Sequence, residues 1–234
     1  MDESPEATLR ELRPSDRPDP AIEIVSVDSI ERAAAPTLRF GARITDGSGI
    51  DVYTIALSVM FTIEPGRRGY DPVSREHLAD LFGEPERWGS TTGAFRWAQV
   101  DVLVPSFNGQ TDFEIPVPCT FDQEIAATKY FAGLADGVVP LQLHFNGTII
   151  YRGGDGQIQM TMLPWDLSLR HDLPIGTWRR MIDNHYPEGA WVRVADETLS
   201  RLRRRKARRG SATFDATVAE LLDATDDEIG RGDA

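Results

Sequence analysis

Four histidines, one cysteine, one glycine-rich turn and one run of arginines are the parts of this 234-residue sequence whose residue types and spacing suggest chemistry. His77, His144, His171 and His185 lie far apart, and none has a second ligand at the spacing of a His-Glu-x-x-His zinc helix. They therefore imply no metal centre. His144 alternates with Leu143 and Phe145, so Gln142, His144 and Asn146 make up a candidate exposed binding face. Cys119, the single cysteine, precedes a predicted helix start, where the helix dipole lowers a thiol pKa. No histidine adjoins it as a base, and a small buried hydrophobe at a strand end is the competing reading. Gly153-Gly154-Asp155-Gly156 lacks the lysine and hydroxyl residue of a phosphate loop, and reads as a hairpin turn. The carboxylates are many, but no pair stands out as acid and base. No catalytic residue and no cofactor follows. A small-ligand site or enzyme remains open as an assembly of distant residues such as His144, Asp166 and His171.

The basic run comprises Arg201, Arg203, Arg204, Arg205, Lys206, Arg208 and Arg209, and acidic residues from Asp215 to Asp233 follow it. Three readings compete: a solvated helix neutralised by the acidic segment, a docking surface for a partner protein, and a nucleic-acid contact. A net charge of −12 and a pI near 4.8 weigh against nucleic acid and anionic membrane, which a positive field attracts. No apolar run reaches a membrane span of roughly 20 residues, so no membrane insertion is expected. The opening, Met1-Asp2-Glu3, is acidic rather than signal-like, which predicts a cytoplasmic protein.

The elements that hold these residues are mostly strands. Residues 1–20 are rich in proline and charge and read as a disordered arm. From Ala21 to Leu163 the period is two. Leu38 to Thr45, Ile55 to Ile63 and Leu141 to Tyr151 alternate apolar and polar side chains, as half-buried strands do. Asn108-Gly109 signals a hairpin turn, and Pro116 and Pro118 suit an edge strand. Ser74 is the predicted cap of a helix ending at Gly83. Thr120-x-x-Gln123 fits the capping box of a second helix, with Phe121, Ile125, Thr128, Phe131 and Leu134 on its apolar side. The tryptophans are expected mostly in the core or in the seam between the sandwich and the helices. After Trp165 the period becomes helical, so residues 164–224 read as a helical C-terminal segment packed on the strands, and 225–234 as a disordered acidic tail. The expected fold is mainly β: an immunoglobulin-like or Greek-key β-sandwich of about seven strands with helical connections.

The stretches Leu81-Phe82-Gly83-Glu84-Pro85-Glu86-Arg87-Trp88-Gly89, Pro116-Val117-Pro118-Cys119-Thr120-Phe121-Asp122, Phe145-Asn146-Gly147-Thr148 and Pro164-Trp165-Asp166 resemble an actinobacterial-type family of unknown function. Its members are often encoded beside nickel–iron hydrogenase genes. The resemblance runs from about Ala21 to Leu222 and carries no catalytic residue over. It implies only a context, hydrogen metabolism or hydrogenase assembly; the function expected of the chain is a non-catalytic accessory protein that binds a partner, such as a hydrogenase or maturation subunit, through the sandwich face or the basic helix.

Overall fold

Every second residue from Ile55 to Ile63 is withdrawn from water, none more than 2% exposed, so this strand is buried along the whole of one face. The computed structural model describes residues 17–88, 92–120, 125–187 and 194–232, with side chains up to residue 224. In it the chain forms two compact units, Met1–Gly189 and Ala190–Ala234.

The first unit holds eight strands among its described residues: β1 (Ala21–Ser29), β2 (Thr37–Thr45), β3 (Val52–Ile63), β4 (Phe95–Val104), β5 (Gln110–Pro118), β6 (Val138–Arg152), β7 (Ile158–Met162) and β8 (Ser168–Pro174). They make two antiparallel sheets, one in the order β1-β2-β5 and the other β4-β3-β6-β7. β6 is long enough for two partners on one side: β7 pairs with its end, Thr148 to Arg152, and β8 with its start, Val138 to His144. The apolar faces of the two sheets meet at Phe40 of β2 and Phe61 of β3, with ring centroids 4.9 Å apart. Each large side chain fully buried there contributes about 1.5–3 kcal/mol.

Two helices insert between strands and a third follows the last strand. In α1 (Pro72–Phe82) the cap is Asp71, one turn earlier than the sequence suggested, and its carboxylate accepts from the backbone N–H of Ser74. Ser74 is fully buried, and its hydroxyl accepts from the N–H of Ala135 instead, tying α1 to the segment after α2 (Ile125–Gly133). α2 buries Ala127, Tyr130 and Phe131, and Leu134 just beyond it is buried too; Phe131 and Leu134 lie inward as expected, whereas Ile125 is exposed and Thr128 only half-buried. Tyr130 packs inward on a polar anchor, its hydroxyl meeting that of Tyr70 at 2.9 Å. Residues 121–124, which carry most of the expected capping box, lie outside the described residues. α3 (Ile175–His185) follows β8 directly, and its Trp178 stacks on Phe131 at 5.3 Å and 14°. Arg179 donates to the carbonyl of Ala135 at 2.7 Å, and Arg68 to those of Asp136 and Val138 at 2.8 and 2.6 Å, so two arginines satisfy the carbonyls of one turn.

Other expectations need correction. β4 and β5 are not a hairpin: Asn108-Gly109 lies in a crossing between sheets, because β4 pairs with β3 and β5 with β2. Residues 168–174, expected to be helical, are strand β8, with Leu169, His171 and Leu173 on its inner side. Residues 17–20 of the expected arm are ordered: Pro18 and Pro20 are buried and Asp19 N–H donates to Asp46 at 2.9 Å; the rest of the arm lies outside the described residues.

The second unit is a helical hairpin, α4 (Asp196–Arg209) and α5 (Phe214–Gly232). Gly210, at φ 72°, reverses the chain, and its N–H bonds back to Lys206. The expected tail from residue 225 continues α5 to Gly232 instead, since the sequence supplies no glycine before Gly230 and no proline.

Candidate functional site

In the hairpin, Arg201, Arg204, Arg205 and Arg208 recur at helical spacing and share one face of α4. They line a groove of about 470 Å³ together with Thr198, Leu202 and Leu221. Among the described residues no carboxylate forms an ion pair with any of the four, and the Nε of Arg205 is buried without an acceptor. Asp215, Glu220 and Asp223 therefore leave the groove cationic; the side chains of Asp226, Asp227 and Glu228 lie outside the described residues. Lys206 is turned from the groove to the ring of Phe214, 5.9 Å from its centroid, and Arg203 and Arg209 are exposed. α4 buries no residue fully, and Phe214, Val218 and Leu222 of α5 form an exposed apolar row.

A second candidate lies on the outer face of the larger sheet. Gln142, His144 and Asn146 do share it, opposite Thr62, Met60 and Ser58 of β3. His144 and Asn146 are exposed, while Gln142 is half-buried and accepts from Arg170 at 3.3 Å. Towards the end of the sheet away from its helices the same face turns apolar. There Leu103, Thr148 and Met162 line a shallow depression of about 450 Å³ with Asn146, Ser58 and Asp101. Leu103 is 74% exposed and Met160 71%. Trp165, in the turn between β7 and β8, is 94% exposed, against the expectation of a core or seam tryptophan. These apolar positions were not singled out from the sequence. The signal was present in Ile158-Gln159-Met160-Thr161-Met162, whose alternation gives an apolar face without saying which side water occupies.

The remaining candidates do not assemble. His144 faces outward, whereas His171 faces the core, its ring 6.0 Å from Phe40; Asp166 is exposed in a turn. The Nε2 of His171 is buried without a described partner, and burial holds its pKa below the ordinary histidine value. Burial likewise pushes the Cys119 thiol up to about 12, against the weaker effect of a backbone hydrogen bond from Leu38. That is the direction opposite to an activated nucleophile. Among the described residues no three histidine, cysteine or acidic side chains are grouped as metal ligands, and no helix is long and apolar enough to cross a membrane.

A family model described as a family of unknown function, DUF6084, matches residues 17–229. No curated protein matches the chain. Among solved structures, a GH3 beta-glucosidase of Bifidobacterium adolescentis is similar over 62% of this chain and 17% of its own, at 10% identity and a TM-score of 0.21. The chain thus spans less than a fifth of that enzyme, and so low a score carries no argument about fold or activity.

Proposed function

We propose, for a chain that belongs to the family of unknown function DUF6084, a non-catalytic accessory role: it docks through α4 onto an acidic surface of a partner protein. One observation carries this reading. Arg201, Arg204, Arg205 and Arg208 converge on a groove with an apolar floor and have no described counter-charge, in a chain whose net charge is −12. Planar guanidinium groups suit carboxylates, which they bind in pairs of hydrogen bonds. The apolar row of Phe214, Val218 and Leu222 offers a partner a dry contact beside the charge.

Within this reading the partners are hydrogenase or maturation subunits in the cytoplasm, as the resemblance implies, and α4 is the contact rather than a nucleic-acid binder. The sheets act as scaffold. Their strand order, β1-β2-β5 against β4-β3-β6-β7, supports an immunoglobulin-like Greek-key sandwich, because β2–β3 and β5–β6 cross between layers and pair with one another.

The test is capture from the native cytoplasm with the tagged full chain and with a variant carrying Arg201→Glu, Arg204→Glu, Arg205→Glu and Arg208→Glu. A stoichiometric acidic protein held by the wild type at low salt and lost by the variant is the expected result. Equal recovery by both, or nucleic acid as the retained species, would overturn it.

A further inference from the structure

We propose that β7 is an interface for a second copy of this chain, in which the two β7 strands pair antiparallel across a two-fold axis and join the larger sheets of both copies into one. The main chain sets up the argument. Leu163 N–H donates to Gly147 at 2.9 Å, and Gly153 N–H donates to Gln157 at 2.8 Å. Because antiparallel bonds alternate along a strand, these two bonds fix the residues between them: Gln159 and Thr161 direct their N–H and C=O groups at β6. Ile158, Met160 and Met162 consequently direct theirs to the open edge, where no described strand takes them.

The other sheet edges are defended against such pairing. β1 carries Glu23 and Asp28 and a bulge between Ile24 and Ser26. β5 carries Asp112, Glu114, Pro116 and Pro118, β4 carries Arg96 and Asp101, and β8 carries Arg170, Asp172 and Pro174. β7 has no charge, no proline and no bulge.

A second copy fits this edge because the strand is self-complementary, which an isologous interface requires. Centred on Met160, antiparallel pairing sets Ile158 against Met162 of the other copy and Gln159 against Thr161, so apolar side chains meet apolar ones on the outer face. Each of the pairs Ile158–Met162, Met160–Met160 and Met162–Ile158 exchanges both of its free main-chain bonds. The exposed side chains and the unpaired main-chain groups thus belong to the same three residues. Since β7 is uncharged while each copy carries −12, association tightens as salt screens the repulsion between copies.

The experiment is sedimentation equilibrium of the full chain at about 0.1 mM, beside two variants. Met160→Pro deletes an N–H that points away from β6, so a dimer of the variant loses the two central bonds across the interface and none within either sheet. Met160→Cys, in a Cys119→Ser background, places two thiols on the axis, where the Cα atoms of a hydrogen-bonded pair lie about 5.5 Å apart, within disulfide reach. A dimeric wild type, at least tenfold weaker association in Met160→Pro with unchanged circular dichroism, and a reducible covalent dimer from Met160→Cys under mild oxidant are expected. A monomeric wild type overturns the proposal and leaves the edge to a strand of another protein. A dimer indifferent to Met160→Pro, or a cysteine variant that stays monomeric under oxidant, overturns it equally.

Discussion

The outer edge of β7 and the groove face of α4 are both left without a partner among the described residues, for opposite reasons. β7 offers main-chain groups and apolar side chains and no charge, whereas the groove face of α4 offers charge on long side chains whose own backbone is satisfied within the helix. One surface is specified by register and the other by field. An uncharged edge selects what can match its hydrogen-bond spacing; a cluster of arginines attracts any acidic surface and leaves detailed fit to its apolar neighbours. The two proposed contacts thus draw on different forces.

The largest expected effect comes from reversing Arg201, Arg204, Arg205 and Arg208 together. Binding of a polyglutamate probe, followed by fluorescence anisotropy, should fall by about a hundredfold or more, with no change in β7-mediated association. Loss of both at once would show that the surfaces are coupled.

Next is Gly147→Ala. A Cβ there would meet the carbonyl oxygen of Ala56 at 2.3 Å, in the strand that supports β7. Overpacking of this kind costs about 1–3 kcal/mol, read by denaturant unfolding. Self-association should weaken with it, while probe binding by α4 should not.

Salt sharpens the contrast with a smaller, severalfold effect. Raising ionic strength should weaken probe binding and strengthen self-association, so the two isotherms move in opposite directions. Parallel movement would contradict the assignment of one surface to charge and the other to strand pairing.

The last effect belongs to neither surface and serves as a control. Because burial raises the folded-state pKa of Cys119 from 9.0 to about 12, its contribution to stability is fully present below pH 9 and is lost as pH rises from 9 towards 12. Cys119→Ser should flatten that part of the pH–stability curve, measured by thermal unfolding, without changing either association.

Much of the scaffold was legible because burial on one face imposes a period of two that polar side chains cannot imitate. β3 from Ile55 and β6 from Leu141 follow their alternation, and β7 lies where the glycine turn places it. β8 was not legible: its few apolar residues, Leu169 and Leu173, are interrupted by His171 and run straight into α3 with no turn between. Nor could the sheet to which β5 belongs be read, since Asn108-Gly109 turns a chain equally well within a sheet or between sheets. The outward face of Gln142, His144 and Asn146 follows from alternation alone. Its apolar half does not, because Met160 and Trp165 have the composition of core residues and only the end of the strand order at β7 leaves them in water. At α4, spacing placed the arginines on one face, but the absence of a described counter-charge depends on where Asp215, Glu220 and Asp223 point.

The most direct test of the accessory reading is quantitative mass spectrometry of what the wild type and the four-arginine reversal each retain from an extract of the native cells, at low and at high salt. The account predicts an acidic protein bound in stoichiometric amount by the wild type at low salt, released at high salt and missing from the variant. The same proteins on both baits, or none on either, would contradict it.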